Sequence, residues 1–239
     1  MFLSTPSKRA RGADRRLLLG WFSVKQPYFY ARTILLDWDG TLLDSFAADA
    51  AAYLAMFRAL RIEWGIEELK RHYSPDWYQV YRAARLPRLR WPEADRLWRR
   101  AYGTERPPLL PGTRTALRML ERRFSLGLVT SGSRDRVRRQ LREFGLADYF
   151  SACVCSEDAS RKKPHPAPLH LALQRLSATP EECVYVGDAP EDIEMARRAG
   201  MRAIGVLGPF PTAARIRRAR PDLLLRSIRE LPRYLRALT

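Results

Sequence analysis

The chain has 239 residues, 46% of them hydrophobic and 29% charged, enough for one large domain or a core domain that carries an insert. Lys and Arg outnumber Asp and Glu by 43 to 26, a net charge of +17, yet the arginines are spread along helical stretches. The tightest cluster is the short "RIRRAR" at 215–220, and no nucleic-acid reading motif accompanies it, so the charge reads as solvated helix faces.

Three cysteines (Cys153, Cys155 and Cys183) supply neither a disulfide framework nor a zinc-ligand set. They read as buried thiols of a reducing cytoplasm. No apolar run reaches the roughly 18 residues of a membrane span.

The first thirty residues hold six basic residues and one acidic one, about +5 of the total. Residues 1–30 read as a flexible basic extension outside the fold. From residue 31 a pattern recurs of a short apolar run, a polar turn and a helix. "TILL" (33–36) runs into Asp37, "LGLV" (126–129) into "TSGS", "CVYV" (183–186) into "GDAPED", and "RAIGV" (202–206) into "LGPFP". Short runs, apolar on both faces and separated by helices, predict a buried parallel sheet in an α/β fold. Residues 133–146 and 190–200 carry helix patterns that close at Gly145 and Gly200.

Between 45 and 108 the pattern changes. "FAADAAAYLAMFRAL", "EELKRHYSPDWYQVYRAARL" and "PEADRLWRRAYG" each predict a helix, with no strand between them, and "ERPPLLPGT" is a proline-rich exit. The core therefore spans 31–44 and 109–239, and 45–108 is an inserted all-helical cap, placed where lids are placed. The cap's aromatics (Trp64, Tyr73, Trp77, Tyr78, Tyr81, Trp91, Trp98) read as its own core. His72, His165 and His170 are scattered and are assigned no chemistry.

The strand ends of an open parallel sheet gather ligands at their carboxyl edge. Here that edge collects Asp37 and Asp39 from "DWDGTLLDS", Thr130 and Ser131, and Asp188, with Lys162 and Lys163 in a loop ahead of a helix. Asp37 and Asp39 are close enough to repel, by about 4 kcal/mol at 4 Å and a dielectric of about 20. Hard oxygen ligands such as Asp37 and Asp188 suit Mg²⁺, which removes that repulsion. With Lys163 the site attracts a phosphate dianion, whose oxygens Thr130, Ser131 and the backbone near Gly40 and Gly132 can hold. One carboxylate can then attack phosphorus while another handles protons. Period-two alternation sends Trp38 to the opposite side, as packing, and Asp44 marks the exit toward the cap.

"DWDGTLLDS", "VTSGS", the lysine of "KKPHP" and "VGDAPEDIEMARRAG" stand in the order of the four motifs of the haloacid dehalogenase superfamily, which this chain resembles from residue 33 to about 206. The insert is similar to that superfamily's smaller cap. The resemblance implies a Rossmann-like core and a Mg²⁺-dependent phosphatase of the phosphoglycolate phosphatase subgroup. Asp37 is implied as nucleophile. Asp39 is implied as general acid and base, protonated for the first step, with its carbonyl on the metal. Thr41 belongs to the same first motif, beside Gly40 near the phosphate. The resemblance further implies Thr130 on phosphate, Lys163 as the neutralising cation, Asp188 as metal ligand, and Asp192 at the metal site or orienting Lys163. A phosphosugar mutase shares these motifs but carries a histidine where this chain has Asp49. A polyanion-binding protein with a vestigial site is the alternative of another class. The expected partner is a small phosphorylated metabolite, without specific nucleic acid or membrane, for a monomer or homodimer.

Overall fold

A computed structural model describes residues 28–238. Every strand of the main sheet is parallel, as the both-face apolar runs require. The strands are β2 (Thr33–Leu36), β3 (Ser125–Val129), β4 (Ala152–Val154), β5 (Cys183–Gly187), β6 (Arg202–Val206) and β7 (Leu223–Leu225), in the order β4-β3-β2-β5-β6-β7. β2 lies at the centre, with Leu35 opposite Gly127 on one side and Tyr185 on the other, and all four of its residues are buried. The chain moves outward from β2 through β3 to β4, then returns to β5 and continues the other way. The direction reverses at β2, so a crevice opens beyond the carboxyl ends of β2, β3 and β5. Gly127 is there for packing: a Cβ would lie 2.5 Å from the Leu35 side chain.

The short strand β1 (Phe29–Ala31) pairs in parallel with β8 (Leu235–Ala237). Phe29 and Tyr30, assigned to the extension from sequence, therefore belong to the fold, and Phe29 is buried in the core. The remainder of the proposed extension, residues 1–27, lies outside the described residues.

All elements between Phe46 and Tyr102 are helical: α1 (Phe46–Ala59), α2 (Ile66–His72), α3 (Trp77–Ala83) and α4 (Trp91–Tyr102), with a single 3₁₀ turn before α4. They close around Met56, Phe57, Leu69, Val80 and Ala94. The single helix expected over 67–86 is two helices. Pro75 disfavours helical backbone at Ser74, and Asp76 starts α3 afresh by accepting from the Tyr78 N–H at 3.2 Å. Leaving and returning segments are paired, with Asp44 N–H donating to the Pro108 carbonyl at 2.8 Å and Leu43 bridged to Leu109.

The core helices are α5 (Thr113–Leu120), α6 (Arg134–Glu143), α7 (Ala167–Leu176), α8 (Pro190–Arg198), α9 (Ala213–Ala219) and α10 (Leu231–Tyr234). The cap is tied down at the α2–α3 break. Arg215 of α9 donates to the Tyr73 carbonyl at 2.5 Å and to Glu191 of α8 at 2.8 Å, and Glu191 also accepts from Ser74 at 3.2 Å. Of the cysteines expected to be buried, Cys155 and Cys183 are, and Cys153 on the edge strand β4 is partly exposed. Among the described residues no helix is long and apolar enough to cross a membrane.

Candidate active site

The crevice holds a cavity of about 330 Å³ between core and cap. Asp37, Asp39, Thr130, Ser131, Gly132, Lys163, Asp188 and Asp192 all line it. Gly40 and Thr41 do not. Thr41 is buried in the turn that follows Asp39, with its hydroxyl unpartnered. Gly40 adopts φ +81°, and a Cβ there would stand 2.3 Å from Asp188 Oδ2. Its role is to let the Asp37 turn press against Asp188.

Asp37 directly follows β2, and its carboxylate meets Lys163 Nζ at 2.7 Å. Lys163 also reaches Asp192 Oδ1 at 2.8 Å and donates to the Tyr185 hydroxyl at 2.8 Å. The Tyr185 hydroxyl in turn lies 3.1 Å from Asp192 Oδ1 and 3.2 Å from the Val129 carbonyl. The other Asp192 oxygen accepts from the Ala189 N–H at 3.0 Å. Both Asp192 oxygens are therefore engaged, one of them on Lys163. Burial alone would drive Lys163 toward its neutral form, but Asp192 and Asp37 outweigh it and hold the ammonium charged.

Asp37, Asp188 and Asp192 form a buried triad whose nearest carboxylate oxygens lie within 4.8 Å of one another. Burial pushes Asp37 up to about 7 in spite of Lys163, with Asp192 and Asp39 adding repulsion. Burial raises Asp188 well above the usual carboxylate range, and Asp37 and Asp192 raise it further, with Lys163 only partly offsetting them. One lysine thus serves three buried carboxylates. Hard oxygen donors with charge left uncompensated fit a divalent cation such as Mg²⁺.

Asp39 has its own cation. Arg136 of α6 grips it with both terminal nitrogens, Nη1 to Oδ1 at 2.9 Å and Nη2 to Oδ2 at 2.6 Å. Burial would raise Asp39, but the charge and hydrogen bonds of Arg136 override it and hold the carboxyl below its ordinary value. Arg136 thus favours the ionised form of Asp39, whereas the acid role implied for it needs the protonated one. Gly132 makes room for the fork, since a Cβ there would stand 2.3 Å from Arg136 Nη2. Arg136 also lies over the Tyr102 ring at 4.9 Å. The repulsion between Asp37 and Asp39 is therefore met by two separate cations, Lys163 and Arg136.

Thr130 accepts from the Gly132 N–H at 3.0 Å through its hydroxyl, which shapes the turn after β3. Trp38 is fully buried on the far side, as alternation requires, with its indole N–H donating to Gln140 at 2.9 Å.

Sequence reading missed Arg136, Tyr185 and Asp49 as site residues. Arg136 was one arginine among many; its position one turn into the helix after "TSGS" was the available signal. Tyr185 was hidden in an apolar run, although a hydroxyl in a fully buried strand demands a partner. Asp49 was weighed only as the residue in place of a histidine. It lies buried in the cavity wall, and burial together with the negative charge of Asp39 pushes it up to about 8. A carboxyl raised this far stabilises the fold below its unfolded value near 3.8, and that contribution is lost as pH climbs toward 8. Asp49→Asn is accordingly expected to raise Tm more at pH 8 than at pH 5, as calorimetry at the two pH values would measure.

The haloacid dehalogenase-like hydrolase family model matches residues 34–206, which contain Asp37, Asp39, Thr130, Arg136, Lys163, Asp188 and Asp192. A pyrophosphatase, PpaX, from Oceanobacillus iheyensis is 28% identical over 207 residues, covering 84% of this chain and 94% of that protein. A phosphoglycolate phosphatase from Escherichia coli is 29% identical over 228 residues, covering 84% and 90%. The solved structure of CbbY from Rhodobacter sphaeroides in complex with phosphate superposes with a TM-score of 0.71 at 26% identity, covering 84% of this chain and 96% of that one. With the four motifs at the strand ends of one parallel sheet and the family match spanning both core and cap, the chain belongs to the haloacid dehalogenase-like hydrolase family.

Proposed function

We propose that the protein is a Mg²⁺-dependent phosphomonoester hydrolase that works through an aspartyl-phosphate on Asp37. The observation that carries this is the pairing of a buried Asp37 with Lys163 at 2.7 Å beside an uncompensated Asp188, all open to one cavity. Asp37, the Asp39 backbone carbonyl and Asp188 would hold the metal. Bound there, Mg²⁺ supplies the positive charge that keeps Asp37 ionised and that neutralises phosphoryl oxygens.

The chain's own groups do the rest. The Asp37 carboxylate attacks phosphorus, and the leaving oxygen takes a proton from Asp39. Water then attacks the acyl phosphate, giving its proton to Asp39, and inorganic phosphate departs from a regenerated Asp37. Thr130, Ser131 and Lys163 hold the phosphoryl oxygens, and Asp192 with Tyr185 keeps Lys163 aimed at them. Gripped by Arg136, Asp39 is in the form that accepts the proton of water. To donate in the first step it must leave Arg136 and carry a proton, which the water consumed in the preceding turnover supplies, and the anion delivered by the substrate is the group able to draw the guanidinium away. Asp49 offers no imidazole at the mutase position, which favours transfer to water over transfer to a second sugar hydroxyl.

Among the relatives, the name phosphoglycolate phosphatase makes 2-phosphoglycolate the natural first ester to compare with a generic one. Purified protein should hydrolyse p-nitrophenyl phosphate with Mg²⁺ and fall to background in EDTA, recovering when Mg²⁺ is restored. Turnover undiminished by EDTA would remove the metal from the mechanism, and no turnover with Mg²⁺ would remove the phosphatase.

A further inference from the structure

The cavity continues past the carboxylates, and its continuation is walled with rings. Trp77, Tyr78 and Tyr81 line it from α3, Trp98 and Tyr102 from α4, and Tyr53 from α1. Of these, Trp77, Tyr78, Tyr81 and Trp98 were expected to be cap core; the structure makes them a lining as well. Their orientations are set by neighbours behind and beside them. Tyr78 is stacked on Trp91 at 4.6 Å with an interplanar angle of 14°, and Trp98 on Tyr102 at 4.8 Å and 24°.

Polar groups stand among the rings: Arg99, Asp95 and Lys162 line the same wall, and the Trp98 indole N–H is buried without a partner. Asp95 accepts from the Tyr81 hydroxyl at 2.9 Å, and the Lys162 ammonium sits 3.3 Å from the Trp77 ring centroid. A hexose buried here would set those of its hydroxyls that Arg99, Asp95 and Lys162 do not reach against ring faces, and each unpaired one opposes binding. A two-carbon acid or a second phosphate would leave most of about 330 Å³ unfilled by ligand. A planar ring meets the aromatic wall with its own faces, which need only other faces.

Resting on the phosphomonoesterase reading, we propose that the substrate is a phosphomonoester whose leaving alcohol carries a planar aromatic ring system, stacked on the α3 and α4 aromatics while its phosphate meets Asp37. Lys162 is the group that a ring stacked on Trp77 displaces. Two sources share this chemistry, a nucleotide base and a simple aryl ester.

The test compares kcat/KM, with Mg²⁺, for adenosine 5′-monophosphate, 1-naphthyl phosphate, glucose 6-phosphate and 2-phosphoglycolate. At least one ring ester should exceed both others by about tenfold or more. If both ring esters do so, the ring alone is recognised; if only the nucleotide does, contacts to the nucleoside add to it. Equal or better turnover of the hexose or glycolate ester overturns the proposal. Trp77→Leu and Tyr78→Leu should shrink the ratio of ring ester to 2-phosphoglycolate, and a ratio unmoved by both overturns stacking on α3. Should no ester be hydrolysed, the phosphatase reading fails by itself. The pocket is then decided by titrating adenosine 5′-monophosphate and glucose 6-phosphate into the Asp37→Asn protein and following tryptophan fluorescence. Tighter binding of the nucleotide supports the proposal, and tighter or equal binding of the hexose ester overturns it.

Discussion

Asp37→Asn is expected to lower turnover of p-nitrophenyl phosphate by about 10⁴-fold or more, because the amide cannot form the acyl phosphate. The same variant should not be less stable. Asp37 is pushed up to about 7 by burial, so its ionisation opposes folding as pH rises from about 4 through 7. An uncharged isostere removes that opposition and leaves Lys163 its bond to Asp192 at 2.8 Å. Metal-free Asp37→Asn should therefore melt at or above the wild-type Tm at pH 8. Lost activity with preserved or raised Tm assigns the effect to chemistry, whereas substantial turnover in this variant would refute the aspartyl-phosphate.

Lys163→Met should damage both activity and stability. The ammonium is buried among Asp37, Asp192 and Tyr185, and a methionine fills its volume while leaving the carboxylates facing one another. Removing one partner of a buried ion pair costs about 3–5 kcal/mol. For a chain of this size that is a fall in Tm of roughly 6–20 °C. The sign with pH follows from the carboxylates. Their folded pKa values are raised, so stability is fullest at low pH and lost as pH rises through those values. Without the lysine that loss steepens, and the deficit against wild type should grow between pH 5 and pH 8. Lys163 itself, raised well above its ordinary value, stays charged over this whole window and adds no slope. Turnover should drop by about 10²–10³-fold, the effect of removing one donor from a developing anion. Calorimetry at the two pH values and steady-state rates check both parts.

Much of the fold was legible because its strands are short and apolar on both faces. "RAIGV" is β6 to the residue, and "TILL" is β2. Where prediction failed, distant partners were responsible. β1 exists because β8, some two hundred positions later, lies beside it, and neither three-residue segment has a local signal. The broken helix at Pro75 was legible in principle, since proline constrains its predecessor whatever the tertiary setting.

The site divides in the same way. Asp37, Asp39, Lys163 and Asp188 come from motifs whose order along the chain is itself information. A parallel sheet obliges strand ends to share one edge, so placing the strands placed these residues together. Which cation pairs with which carboxylate is not information of that kind. Arg136 and Asp39 are 97 residues apart, and only the packing of α6 beside the β2 turn brings a guanidinium to both oxygens. The same holds for the cap. Sequence by itself determined that the insert is helical and rich in rings, because periodicity and composition are local. Whether a ring faces the core of the cap or the cavity depends on how α3 and α4 pack in three dimensions, and the tertiary structure alone decided that.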